Sequence, residues 1–135
     1  MIKLVTANHG GIINVHIKGR QSALEFGEAG GTFAKQYAGL MRLLVLFDWS
    51  ALAGWDDNDA ACAACRKWQE AARAIDRAAI VHEHCWNRQA AVMGAVLRLN
   101  RVSVRSWAVA DCTKAAAWLD AAGTKVANRS KNGSR

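Results

Sequence analysis

Apolar and polar residues alternate near the start of the chain. Ile13, Val15 and Ile17 are apolar, and the positions between them are polar. This period of two is typical of a strand with one buried face. A second β-rich stretch covers residues 2–7, and the turn-forming residues 8–11 join the two. The pattern predicts a β-hairpin at the N-terminus.

Helical spacing replaces this alternation after the hairpin. Ser22 and Glu25 have the spacing of a capping box, which predicts a helix start at Ser22. Phe26 and Tyr37 share one helical face, but glycines occupy residues 30–31. Because glycine weakens a helix, we expect this helix to be in two pieces.

Two apolar runs mark strands in the middle of the chain. Residues 42–48 are almost continuously apolar and end in Asp48, and residues 77–81 form a second run. Such runs are typical of central parallel strands covered on both faces. Between them, residues 57–75 carry apolar side chains at helical spacing, and Asp56 and Asp57 can cap that helix.

The last third of the chain repeats the same alternation of elements. Residues 86–99 form an alanine-rich helical stretch and residues 102–109 a strand. A closing helix follows from Asp111 to Ala122, with Gly123 placed to end it. The order ββαβαβαβα predicts an α/β fold with a single domain at residues 1–122: a mostly parallel five-stranded sheet flanked by helices, with the opening hairpin as an antiparallel edge.

Composition fits one ordinary globular domain. The 135 residues are 52% apolar and 21% charged, which disfavours a disordered or fibrous class. The net charge of +7 includes four cations in the acid-free segment 123–135. We interpret that segment as a basic polar tail, and the mildly basic remainder disfavours a nucleic-acid partner.

Compartment and membrane association follow from two further features. No apolar run approaches the ~20 residues of a membrane span, and the N-terminus has no signal-peptide pattern. The four cysteines lie in helix-like or strand-end contexts, which favours reduced thiols over a disulfide framework. We expect a cytoplasmic protein.

Several segments together resemble one family. They are residues 42–48 followed by Leu52 and Gly54-Trp55, residues 76–81 followed by Trp86, and residues 104–107 followed by residues 115–119. In order and spacing this set resembles the SpoIIAA-like proteins, a group similar to STAS domains and to the CRAL-TRIO lipid-binding fold. The resemblance covers residues 1–122.

The resemblance implies a module without established catalysis. STAS anti-sigma-factor antagonists act by protein contact and are switched by phosphorylation of a serine in the loop after the strand that here ends at Asp48. In this chain Asp56-Asp57 stands where an Asp-Ser pair is expected, and Ser50 comes too early. The resemblance therefore implies a regulatory module that lacks the serine switch.

Ligands of open α/β sheets bind beyond the carboxyl ends of the parallel strands. The expected contact surface comprises the loop after Asp48, the helix it starts and the end of the next strand. Its tryptophans would form either a contact surface or an aromatic cleft, or else simply cap the core. The candidate partner- or ligand-binding residues are Asp48, Trp49, Ser50, Gly54, Trp55, Asp56, Asp57, His82, His84 and Trp86.

Two other chemistries are weaker alternatives. Cys62, Cys65, His84 and Cys85 are soft ligands that would suit zinc, but their spacing is not that of a regular zinc motif. The same Cys-x-x-Cys lacks the strand and proline context of a redox site. No serine-nucleophile or phosphate-binding glycine motif occurs, so we predict no enzyme activity, no metal and no cofactor.

The leading hypothesis is a regulatory protein-interaction module. The alternative is a carrier of a small hydrophobic, lipid-like ligand held by Trp49, Trp55 and Trp86, as the CRAL-TRIO resemblance implies. The partner is predicted to be another protein or a second copy of the chain, since six tryptophans in a short chain favour one self-association patch.

Overall fold

A computed structural model describes residues 2–6 and 11–133, with side-chain surroundings for residue 2 and residues 11–122. The proposed turn residues 8–10 lie outside this range. Short 3₁₀ turns occupy Arg66–Trp68, Ala71–Ala74, His84–Trp86 and Val109–Asp111. The main elements are β1 (Ile2–Thr6), β2 (Ile12–Gln21), α1 (Ala23–Gln36), β3 (Leu43–Trp55), α2 (Asn58–Cys65), β4 (Ile75–His82), α3 (Asn87–Arg98), β5 (Ser103–Ala108) and α4 (Cys112–Gly133).

The strands lie in the sheet in their order along the chain. Strands β2 to β5 run parallel to their neighbours, and β1 pairs antiparallel with β2 at the edge. The predicted single α/β domain with a helix-flanked parallel sheet is confirmed. The parallel part has four strands, not five, because β1 reverses direction in its hairpin with β2.

The helices are divided unequally between the two faces of the sheet. Each parallel connection advances by one strand in the same direction, so right-handed crossovers put their helices on a common face. Phe26 of α1, Cys65 of α2 and Met93 of α3 accordingly share one core with Val15 and Phe47. Helix α4 covers the opposite face, where Leu119 packs in a smaller core with Leu46 and Val81.

Helix α1 is continuous, so the predicted break at residues 30–31 is wrong. Its start is as expected, since the Ser22 hydroxyl accepts a hydrogen bond from the Glu25 backbone N–H at 3.2 Å. A Cβ on Gly30 would lie 2.8 Å from the Lys67 carbonyl oxygen. Gly30 therefore permits a close approach between α1 and the turn after α2, rather than a bend.

Two other predicted helix ends were also wrong. Helix α2 ends at Cys65 instead of continuing to residues 73–75, and the two 3₁₀ turns after it lead into β4. The apolar stripe still faces inward, because Ala64, Trp68 and Ala71 are buried. Helix α4 continues past the predicted stop at Gly123 to Gly133, through most of the segment interpreted as a tail.

Candidate functional site

The segment predicted as a loop after Asp48 is strand. Strand β3 continues to Trp55 and remains paired with β2 beyond the point where its pairing with β4 ends at Asp48. Two register shifts interrupt this extension, one after the pair His16 and Asp48 and one between Gly19 and Arg20 of β2. In each, β3 has one residue more than β2, as in a β-bulge.

Two tryptophans of this extension reach the interior. Trp49 is fully buried and Trp55 is 4% exposed. Both rings meet Phe26 of α1 edge-on, at centroid distances of 5.9 and 5.3 Å, and meet each other at 5.7 Å. Trp49 and Trp55 are therefore core residues beneath α1 and do not line an open cleft.

The third tryptophan of the predicted cleft borders the same core. Trp86 is partly buried against the same core. A Cβ on Gly54 would be 4.0 Å from the Cη2 atom of its ring. Gly54 thus brings the end of β3 close to Trp86, which packs at the margin of the core that holds Trp49 and Trp55.

Asp56 and Asp57 each cap a different helix. A carboxylate oxygen of Asp57 accepts hydrogen bonds from the backbone N–H groups of Asp59 and Ala60 at 2.9 and 3.0 Å. Asp56 instead accepts from the backbone N–H of Ala23 at 3.0 Å. The acidic pair therefore stabilises the N-termini of α2 and α1, which begin side by side.

Asp48 lies on the opposite face of the sheet from Trp49. Its Oδ1 accepts hydrogen bonds from the backbone N–H and the hydroxyl of Ser50 at 3.0 and 2.5 Å. Its Oδ2 lies 3.2 Å from Nδ1 of His16, the residue opposite it on β2. His16 is thus a half-buried partner of Asp48.

Burial and hydrogen bonding have opposite effects on the pKa of Asp48. Burial alone would raise the pKa of Asp48, but the hydrogen bonds from Ser50 and the contact with His16 outweigh it, and the pKa lies below its ordinary value. The Ser50 hydroxyl donates to this carboxylate and not to an imidazole. The cluster therefore lacks the serine–histidine pairing that activates a nucleophile.

Two of the cysteines, Cys65 and Cys112, have the character of structural thiols. Burial raises the pKa of Cys65 to about 12, and it raises the pKa of Cys112 as well, with a smaller contribution from Asp48. Cys62 and Cys65 lie on α2, whereas Cys85 is exposed in the turn after β4. Within the described ranges, no three His, Cys, Asp or Glu side chains are grouped so as to hold a metal ion.

His82 and His84 line a pocket at the carboxyl ends of β4 and β5. Its volume is about 250 Å³. The sequence indicated the two histidines, but the residues from β5 and α3 that complete the pocket were not among the predicted site residues. Their positions in the sequence could have indicated them, because neighbouring parallel strands that end at the same edge of a sheet place the residues at their ends side by side. The remaining lining residues are Asn87, Ser106, Trp107 and Ala108.

A second concave surface lies between α1 and α2. It measures about 240 Å³, and Leu24 at its edge is 68% exposed. The surface is mostly apolar, since alanine methyl groups and a glycine form its floor. We call it the α1–α2 groove; its lining residues are Ala23, Leu24, Gly27, Ala60, Ala63, Ala64 and Lys67.

The comparison with known proteins identified no relative of this chain. No protein-family model matches the chain, nor does any curated protein or solved structure. Among the described residues, no helix combines the length and apolar character needed to cross a membrane.

Proposed function

We propose that this protein is a non-catalytic, regulatory protein-interaction module of the SpoIIAA-like, STAS-related kind, and that its contact surface is the α1–α2 groove. The observation that carries the proposal is Leu24. A leucine at 68% exposure beside a floor of alanine and glycine is available to a partner's apolar side chains.

The hydrogen bonds of Asp56 and Asp57 support the proposal of a contact surface with a fixed shape. Asp56 and Asp57 hold the starts of the two helices that border the groove, through hydrogen bonds of 2.9 to 3.0 Å. A preorganised surface loses less conformational entropy when a partner binds. In the family that this chain resembles, the switch serine is expected at this helix start, where this chain has the carboxylate of Asp57 in place of a phosphorylatable hydroxyl.

The Cys65 and Cys112 thiols and the Ser50 hydroxyl support a role without covalent catalysis. A raised pKa keeps the Cys65 and Cys112 thiols protonated, and a thiol is a poorer nucleophile than a thiolate. The Ser50 hydroxyl is held by Asp48. Surface complementarity is therefore the mechanism we propose.

The alternative, a carrier for a lipid-like ligand, required Trp49, Trp55 and Trp86 to line a cavity. Burial of Trp49 and Trp55 against Phe26 disfavours this alternative. Opening such a cavity would separate aromatic rings that are in contact, at a cost of about 0.5–1.5 kcal/mol per pair beyond their lost burial.

Photo-crosslinking in the cell of origin tests the proposal. A photoreactive residue at exposed Ala63, in the groove, is expected to capture a defined protein, and Leu24→Asp is expected to abolish the capture. A photoreactive residue at Leu99, which is 76% exposed and outside the groove, is the position control, and Leu99→Asp is the matched variant. Equal capture from both positions would refute the groove as the contact surface. A co-purifying apolar small molecule in native mass spectrometry, with no protein captured, would favour the carrier.

A further inference from the structure

We infer that the pocket formed by His82, His84, Asn87 and Ser106 is a binding site for a small oxyanion, a phosphate or carboxylate group. This site lies at the ends of β4 and β5 and shares no residue with the α1–α2 groove. The inference is therefore independent of the proposed protein contact.

His82 supplies the first argument, because it is a buried side chain with one unused nitrogen. It is only 8% exposed, and its Nδ1 lies 2.8 Å from the carbonyl oxygen of Glu83. A carbonyl oxygen only accepts, so Nδ1 carries a proton and donates it. The structure gives Nε2 no hydrogen-bond partner among the described residues, and His82 lines the pocket.

His84 and its neighbours supply further donors. Nδ1 of His84 is 2.9 Å from Nδ2 of Asn87, and an amide nitrogen only donates, so this Nδ1 accepts. The proton of a neutral His84 ring is then on Nε2, where it can be donated to a ligand. Ser106 contributes a hydroxyl from β5, and it is exposed within the pocket.

The start of α3 adds the positive end of a helix dipole beside this pocket. The helix is twelve residues long, and it has neither a side-chain cap nor an acidic residue in its first turn. The N–H of Asn87 donates to the carbonyl oxygen of His84 in the preceding turn, so α3 contributes the partial positive charge of its dipole at this end and not a free Asn87 N–H. Asn87, the first residue of α3, is itself part of the pocket lining.

None of the charged side chains on the surrounding elements lines the pocket. Arg88 of α3 pairs with Asp59 of α2 at 3.0 Å, and the Arg105 guanidinium of β5 lies over the Trp107 ring at 5.1 Å from its centroid. Glu83 is exposed in the connection after β4, and Lys114 contacts Asp111 at 3.5 Å beyond β5. No carboxylate occurs among the lining residues, so an anion would meet no direct charge repulsion there.

Oxyanion binding at this site involves uptake of one proton. Because Nδ1 of His82 already carries a proton, Nε2 of the neutral ring presents a lone pair, which repels an anion. Protonation of Nε2 by solvent converts it to a donor, and the imidazolium then pairs with the oxyanion.

The test is NMR of the histidine ring nitrogens in the full chain. Inorganic phosphate and, separately, acetate are titrated at constant ionic strength. We expect at least one of them to shift the His82 and His84 resonances saturably at millimolar concentration, and the His82 Nε2 signal to move to the position of a protonated nitrogen. Phosphate alone would identify a phosphoryl group as the ligand, and acetate alone a carboxylate.

Ser106→Ala is expected to weaken binding about tenfold, the effect of losing one hydrogen bond to a charged group. Ser103→Ala, at the other end of the same strand and also exposed, is the matched control. The signals of His16 on the far face of the sheet should not move. Shifts that fail to saturate with either anion, or that are unchanged by Ser106→Ala, would overturn the inference.

Discussion

The carboxylate of Asp56 accepts a hydrogen bond from the backbone N–H of Ala23, 33 residues earlier in the chain, at 3.0 Å. Asp57, the next residue, caps its own helix. One dipeptide at the end of β3 therefore fixes the starting points of both α1 and α2. The carboxylates of Asp56 and Asp57 thus stabilise two different helices, although the two residues are adjacent in the chain.

Removing the Asp56 carboxylate, which caps α1 from the end of β3, is expected to destabilise the fold. We predict that Asp56→Ala lowers the free energy of unfolding by about 1 kcal/mol, the usual contribution of a helix N-cap. Urea denaturation measures the change. Glu28→Ala, an exposed acid within α1, is the control and should have little effect. Equal losses for the two variants would mean that Asp56 acts only through its charge.

Gly30 and Gly31 are expected to respond in opposite directions to the same substitution. A Cβ on Gly31 meets nothing within 4 Å, whereas one on Gly30 lies 2.8 Å from the Lys67 carbonyl oxygen and 3.0 Å from the Trp68 ring. Gly31→Ala should stabilise by up to about 1 kcal/mol through helix propensity. Gly30→Ala should destabilise by about 1–3 kcal/mol through overpacking. Thermal and chemical denaturation of the pair measure both, and a matched sign would contradict the close packing of α1 on the turn.

Asp48 makes stability depend on acid pH. Its native pKa is below the ordinary value, because its hydrogen bonds from Ser50 and its contact with His16 outweigh the effect of burial. The ionised carboxylate therefore contributes stability above the pKa of the unfolded chain, and this contribution is lost as the pH falls through the native pKa. We expect Asp48→Asn to be less stable than the natural protein at neutral pH and the two stabilities to converge in acid.

Denaturation curves measured across the acidic range test this prediction. Asp59→Asn, at a highly exposed ion pair with Arg88, is the control and should follow the natural protein at every pH. If the difference between Asp48→Asn and the natural protein stayed constant as the pH fell, the charge of Asp48 would not be the source of the stabilisation.

The cysteines are expected to differ sharply in reactivity. Burial raises the pKa of Cys65 to about 12, and its Sγ contacts the Gln89 carbonyl oxygen at 3.8 Å inside the core. Cys85 is exposed. A thiol-specific reagent at mildly alkaline pH should label Cys85 rapidly in the native protein and Cys65 only after unfolding. Mass spectrometry of the labelled peptides identifies each site, and fast native labelling of Cys65 would contradict its burial.

Periodicity predicted the elements of this fold better than their ends. Alternating Ile13, Val15 and Ile17 correctly indicated β2, and the apolar run before Asp48 correctly indicated a buried central strand. The extension of β3 was missed because its two bulges break the alternation that identifies a strand. Leu52 and Trp55 are buried all the same, on the α1 side of the sheet.

Contacts between distant segments were beyond sequence reasoning for a different reason. The contact between His16 and Asp48 depends on the register of β2 against β3, and a shift of one residue would turn His16 to the other face. The role of Gly30 likewise depends on the position of the Lys67 carbonyl group. Helical spacing over residues 57–75 indicated the buried face correctly, but an apolar stripe does not distinguish one helix from a short helix followed by 3₁₀ turns.

The sequential strand order has a consequence for synthesis on the ribosome. Each parallel strand from β3 onward joins the sheet beside the strand made just before it. A growing chain can therefore extend an existing edge as each strand and helix emerges, and no strand has to be inserted between two that are already paired. Helix α4, made last, then closes the second face over Leu46 and Val81. Until it does so, the nascent domain exposes an apolar surface, which is the stage at which a chaperone would be needed most.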